Sequence, residues 1–168
     1  MLLDPAAFSS FLGSLTLRSY QVPVARAVVD SVLNARGLSF VVIFPRQSGK
    51  NELQAQLETY LLTRLSGFPA EMVKISPTWK PQSQNAMNRL ERVLNRHPLL
   101  NQFWTCEQGY RFRAGAALQT FLSGSPESKP DRAPKSSPLL SGRRGGPKGR
   151  DKQAASRNRE EPSISKSP

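Results

Sequence analysis

The sequence predicts an α/β fold in which helices flank a parallel sheet, and three observations carry that prediction. A five-residue apolar run, Phe40 to Phe44, reads as a strand buried on both faces. A leucine pattern of helical period follows it directly, and a second strand-then-helix pair comes after that. Strands alternating with helices close as βαβ units, whose crossovers set neighbouring strands parallel.

In chain order, Val22 to Ala35 places Val24, Ala27, Val28 and Val32 on one helical face, and Gly37 offers a stop. Phe40 to Phe44 is FVVIF, rich in β-branched and aromatic residues and too short for a buried helix. After the turn PRQSGKN, Leu53, Leu57, Leu61 and Leu65 recur every four residues, so 51–65 reads as an amphipathic helix ending near Gly67. Met72 to Ser76 is the second strand, and Ala86, Leu90, Val93 and Leu94 mark the helix that follows Pro77 and Pro81. Trp104 to Cys106, Tyr110 to Arg113 and Ala117 to Leu122 read as shorter strands, with Gly109 and Gly115 at the turns.

A chain of 168 residues has room for one ordinary domain of roughly 100 to 150 residues. All 13 Phe, Trp and Tyr residues lie at or before Phe121. After Ser128 the composition turns to Ser, Pro, Gly, Lys and Arg, which cannot bury enough apolar surface to offset ordering entropy. The expected organisation is therefore a body over 1–127 and a disordered basic tail over 128–168.

The formal charge of +12 draws the molecule to polyanions such as nucleic acid; residues 1–127 carry 13 basic and 8 acidic side chains, and 128–168 carry 11 and 4. One cysteine, Cys106, excludes an intramolecular disulfide and any cysteine-based metal cluster, and fits a reducing compartment. The N-terminus has no basic start or long apolar run, and Phe40 to Pro45 is far shorter than a membrane span, so a soluble cytoplasmic protein with no membrane partner is expected.

The chemistry concentrates in Phe44 to Asn51, FPRQSGKN. A phosphate loop of the form G-x-x-x-x-G-K-[ST] cradles phosphate oxygens with backbone N–H groups at a helix start, while its lysine reaches the outer phosphates. Gly49 and Lys50 match; Phe44 stands where the first glycine belongs, and Asn51 where Ser or Thr would hold magnesium. A lysine in the first turn opposes the helix dipole, which argues against an idle solvated charge.

PRQSGKN resembles the loop of phage terminase large subunits, in which Arg and Gln precede a small residue and Gly-Lys. LRSYQ, Leu17 to Gln21, is similar to the L-R-x-Y-Q element of terminases and related helicases, and Val73 to Leu90 resembles the next segment of these motors, where a strand enters a Pro-Thr turn. The resemblance spans residues 17–90 and implies an incomplete P-loop NTPase that binds ATP with Mg²⁺. It assigns adenine recognition to Gln21, charge neutralisation to Lys50, an arginine-finger role to Arg46, backbone donors to Gln47, Ser48 and Gly49, and a magnesium contact to Asn51. Implied partners are double-stranded DNA, a terminase small subunit and a portal, in the host cytoplasm.

Such a motor also needs an apolar strand ending in acidic residues. The only adjacent acidic pair, Glu160-Glu161, has no apolar strand before it and reads as a solvated charge cluster. ATP binding without efficient hydrolysis is therefore the expectation. The change of composition after SGSPES, Ser123 to Ser128, suggests a frameshifted or shortened reading frame. A non-catalytic basic nucleic-acid-binding protein and a helicase-type ATPase fragment are the alternatives. Trp79, Lys80 and Gln82 form a turn that could stack a base and meet a phosphate, against the plainer reading of Trp79 as packing. His97 reads as a near-surface residue at a helix end, with no metal partners.

Overall fold

The computed structural model describes residues 4–124. Its first element is a helix that the apolar pattern does not announce, α1 (Pro5–Phe11). The start is nonetheless legible: the Asp4 carboxylate accepts the Ala7 N–H at 3.2 Å, and Pro5 falls in the first turn, where its missing N–H costs nothing. Helix α2 (Gln21–Leu33) and helix α3 (Lys50–Leu65) match the predicted helices to within two residues at each end. Strand β1 (Ala70–Ser76) leads through a kinked turn at Trp79–Ser83 into α4 (Gln84–Arg96). Strands β2 (Trp104–Glu107), β3 (Arg111–Ala114) and β4 (Ala117–Ser123) complete the described chain.

The sheet order is β1-β4-β3-β2. β1 and β4 run parallel, in register from Ala70 opposite Ala117 to Ser76 opposite Ser123, while β4, β3 and β2 are antiparallel neighbours. The sheet is thus mixed, where a parallel one was predicted. The reason lies in the connections: Gln108 and Gly109, at φ 51° and 75°, and Gly115, at φ 60°, close tight turns. Turns that short can join only antiparallel strands.

Helices α3 and α4 cover one face of this sheet. Leu62, Met87, Leu90 and Leu94 pack onto Phe112, Ala114, Ala117 and Phe121. Full burial of one such large side chain stabilises by roughly 1.5 to 3 kcal/mol. Lys74 of β1 pairs with Glu58 of α3 at 2.7 Å, and burial pushes the Glu58 carboxyl up against the attraction of that lysine. On the opposite face Val73, Ile75 and Leu122 are exposed.

Phe40 to Phe44 departs from its predicted role as a central buried strand. It joins no ladder among the described residues, and Val41 and Ile43 are 91% and 87% exposed. Hydrophobicity selects an extended chain only when another strand is present to take its N–H and C=O groups, and the described sheet ends at β1 without reaching it. Only Phe44 is anchored, edge-on to Tyr20 at 5.5 Å and packed beside Leu17, Ala25 and Leu53.

His97 also differs from its expected near-surface place. It is fully buried, stacks on Phe8 at 5.1 Å, and accepts the Leu99 and Leu100 N–H groups on Nδ1 at 3.3 and 3.2 Å. Helix α1, which the apolar pattern does not announce, supplies the ring that covers it. Burial lowers its pKa from 6.5 to about 4. The expected boundary at Ser125 to Ser128, the basic tail and Glu160-Glu161 lie outside the described residues.

Candidate phosphate-binding site

The loop 45–49 delivers the chain into α3 through two left-handed residues, Gln47 at φ 61° and Gly49 at φ 74°. Gly49 is the position that demands glycine: besides its positive φ, an added Cβ would lie 3.0 Å from Gln21 Nε2. The loop is held from behind. Tyr20 Oη donates to the Ser48 carbonyl at 2.8 Å, and Gln21 Nε2 donates to the same oxygen at 3.0 Å. Gln21 Oε1 in turn accepts the Arg18 N–H at 2.9 Å. LRSYQ therefore acts, in this structure, as a brace on the carbonyl side of the loop.

That brace leaves the N–H side open. No side chain caps α3, in contrast to α1 with its Asp4 cap. The first N–H groups of a helix have no intrahelical acceptor, and over a 16-residue helix they carry the positive end of the macrodipole. Ser48 is only 6% exposed, and its Oγ is buried without a hydrogen-bond partner. A buried hydroxyl left unmatched in this way costs about 1 to 3 kcal/mol and marks a place where a ligand atom would be welcome.

Two cavities meet at the loop. One, of about 370 Å³, is lined by residues 45–52 together with Arg89 of α4. The other, of about 440 Å³, shares Pro45 to Ser48 and is walled by Arg18, Tyr20 and Phe44. The structure thus gathers Arg46, Gln47, Ser48, Gly49, Lys50 and Asn51 in one cavity, and Arg46, Lys50 and Asn51 are exposed there. Gln21 lines neither cavity; it is buried behind the loop with both amide atoms engaged. Tyr20, Phe44 and Arg89 are the lining residues that motif reading missed. The first two lie inside the quoted motifs LRSYQ and FPRQSGKN, which gave neither a ligand role. Arg89 has no local signal, because its place comes from the packing of α4 on α3.

Toward magnesium the donor set is poor. Asn51 offers one neutral amide, and the single carboxylate in the lining, Glu52, is held by Arg89 at 2.5 Å. A hard dication seeks carboxylate and phosphate oxygens. Among the described residues no three His, Cys, Asp or Glu side chains converge as a metal site. No helix of the described chain is long and apolar enough to cross a membrane. Trp79, expected as a possible base platform, is buried in the core with its edge toward Tyr110, while Lys80 and Gln82 stay exposed. Cys106 is buried.

Fold and loop together define a class: a mixed α/β domain with an uncapped Ser-Gly-Lys turn at the start of the longest helix among the described residues. Comparison with protein-family models, curated proteins and solved structures finds no match.

Proposed function

We propose that this chain is a nucleotide-binding domain of the P-loop class. The observation that carries the reading is the Ser48-Gly49-Lys50 turn at the uncapped start of α3, which lines a cavity of about 370 Å³ and carries a buried, unpartnered Ser48 hydroxyl. Within that class, PRQSGKN, LRSYQ and the strand-to-Pro-Thr segment favour the N-terminal part of a terminase-like DNA-packaging ATPase over a helicase-type relative.

In this reading ATP sits across both cavities. Lys50 and the free N–H groups of α3 take the outer phosphates, Arg46 stands between the cavities where it can follow the terminal phosphoryl group, and Tyr20 with Phe44 offers an aromatic wall to the base. Gln21 acts by fixing the loop. Bound magnesium supplies charge neutralisation in enzymes of this class, but the residues present do not build its site, so the activity proposed is binding and not turnover. Double-stranded DNA, a small subunit and a portal are partners of the whole motor on the same reading.

The test is calorimetric titration of the purified chain with ATP and ADP, with and without magnesium, beside Lys50→Ala, followed by phosphate release on the same samples. The expected result is binding that Lys50→Ala weakens at least tenfold, with no phosphate release. A folded chain that binds neither nucleotide removes the reading and leaves the basic nucleic-acid-binding alternative.

A further inference from the structure

One wall of the phosphate cavity comes from outside the loop. Arg89 projects from α4 into the lining, and its Nη1 lies 2.5 Å from Glu52 Oε2 in the first turn of α3. The neighbouring Met87 and Leu90 are buried in the core, which fixes the backbone of α4 beside the cavity. Both charged side chains stay about one-third exposed, at 35% and 29%.

Resting on the nucleotide-binding reading, we propose that Arg89 is a second cationic ligand of the polyphosphate, held by Glu52 until the phosphate arrives. An ion pair this exposed contributes little to stability, so the guanidinium can change partners at small cost. The guanidinium fork matches two oxygens of a phosphate as well as it matches a carboxylate. Glu52 is favourably placed against the positive end of α3 while the cavity is empty, and becomes a competing anion once phosphate enters. Ser48, whose Oγ is buried without a hydrogen-bond partner, lines the same cavity as Arg89 and Lys50, so the loop has an unmet polar group beside the ion pair. Exchange of Arg89 from Glu52 to phosphate also ties α4, and through it the turn at Trp79–Ser83, to the filling of the loop.

The experiment titrates the full chain with ADP and with inorganic pyrophosphate, without magnesium. It compares Lys50→Ala, Arg89→Gln, Glu52→Gln and the double variant Glu52→Gln/Arg89→Gln, with thermal melts to confirm folding. Arg89→Gln is expected to weaken both ligands about tenfold, the loss of one charge-assisted contact. Glu52→Gln is expected to tighten them, and the double variant to bind more weakly than Glu52→Gln alone. If the double variant binds as tightly as Glu52→Gln, Arg89 only neutralises Glu52 and is no ligand, which overturns the proposal. Wild-type affinity in Arg89→Gln, with Lys50→Ala silent, overturns it while leaving the nucleotide reading intact; no binding by the wild type removes both. Should Arg89→Gln fail to fold, the double variant, which leaves no carboxylate unpaired, decides against Glu52→Gln: weaker binding supports Arg89 as a ligand and equal binding overturns it.

Discussion

Two segments of this chain, Phe40 to Phe44 and β4, are opposite in environment, and the wholly apolar one is the exposed one, since β4 carries Gln119, Thr120 and Ser123. In β4 the side chains of Ala117 and Phe121 are wholly buried, whereas Val41 and Ile43 stand almost fully in solvent. β4 has a ladder on each side, β1 and β3, and a helix layer above it; Phe40 to Phe44 has no ladder among the described residues and meets the helices only at Phe44. Apolar character therefore sets the tendency to be buried, and the supply of neighbours decides whether it happens. The largest buried cluster lies in the α3, α4 and sheet layer, with smaller ones against α1 and α2, while the exposed part of Phe40 to Phe44 leading into the 45–49 loop adds little.

The contrast is broken most strongly on its packed side. Phe121→Ala removes a ring in contact with Phe112 at 5.5 Å and is expected to cost about 3 to 5 kcal/mol, enough to leave much of the population unfolded; chemical denaturation of the variant checks this. A loss under 1 kcal/mol would mean that the core is not where burial places it.

Acid is the next largest effect. The folded pKa of His97, about 4, lies below the unfolded value of 6.5, so the neutral ring favours the fold fully above pH 6.5. That contribution falls away as pH drops from 6.5 toward 4, to a limit of about 3 kcal/mol. Denaturation midpoints between pH 7 and 4 should decline in the wild type and decline less in His97→Gln. Equal slopes would show that His97 is exposed after all.

The smallest effect is expected on the open side. Ile43→Lys places a charge on a side chain that touches little, and should change stability by no more than about 0.5 kcal/mol while reducing concentration-dependent association. A loss comparable to that of Phe121→Ala would show that Phe40 to Phe44 is packed in solution, and would move it to the same class as β4.

Much of the architecture was legible before any coordinates. The leucine repeat of α3 and the Ala86 to Leu94 pattern of α4 are helical periods, and they survive because each helix buries a stripe: Leu90 and Leu94 of α4 on the sheet, Leu53 and Leu61 of α3 against Leu17, Ala25, Phe8 and Val29. The strands near Gly109 and Gly115 were legible because turn chemistry is local. Helix α1 was missed although Asp4-Pro5 states its start, since seven residues are too few for a period to show. At the site, the loop from Arg46 to Asn51 was readable because its residues are contiguous. Arg89 and the bracing role of Gln21 were not, because both depend on residues 37 and 27 positions away.

The sequence by itself determined helices α2 to α4, the turns, the basic charge and the contiguous loop at the head of α3, all of which follow from short-range spacing and side-chain chemistry. Tertiary structure alone decided that β4 lies beside β1, that Phe40 to Phe44 joins no ladder among the described residues, that His97 is buried against Phe8, and that Arg89 lines the cavity at the loop. These outcomes depend on which distant segments come together, and local propensity carries no record of that.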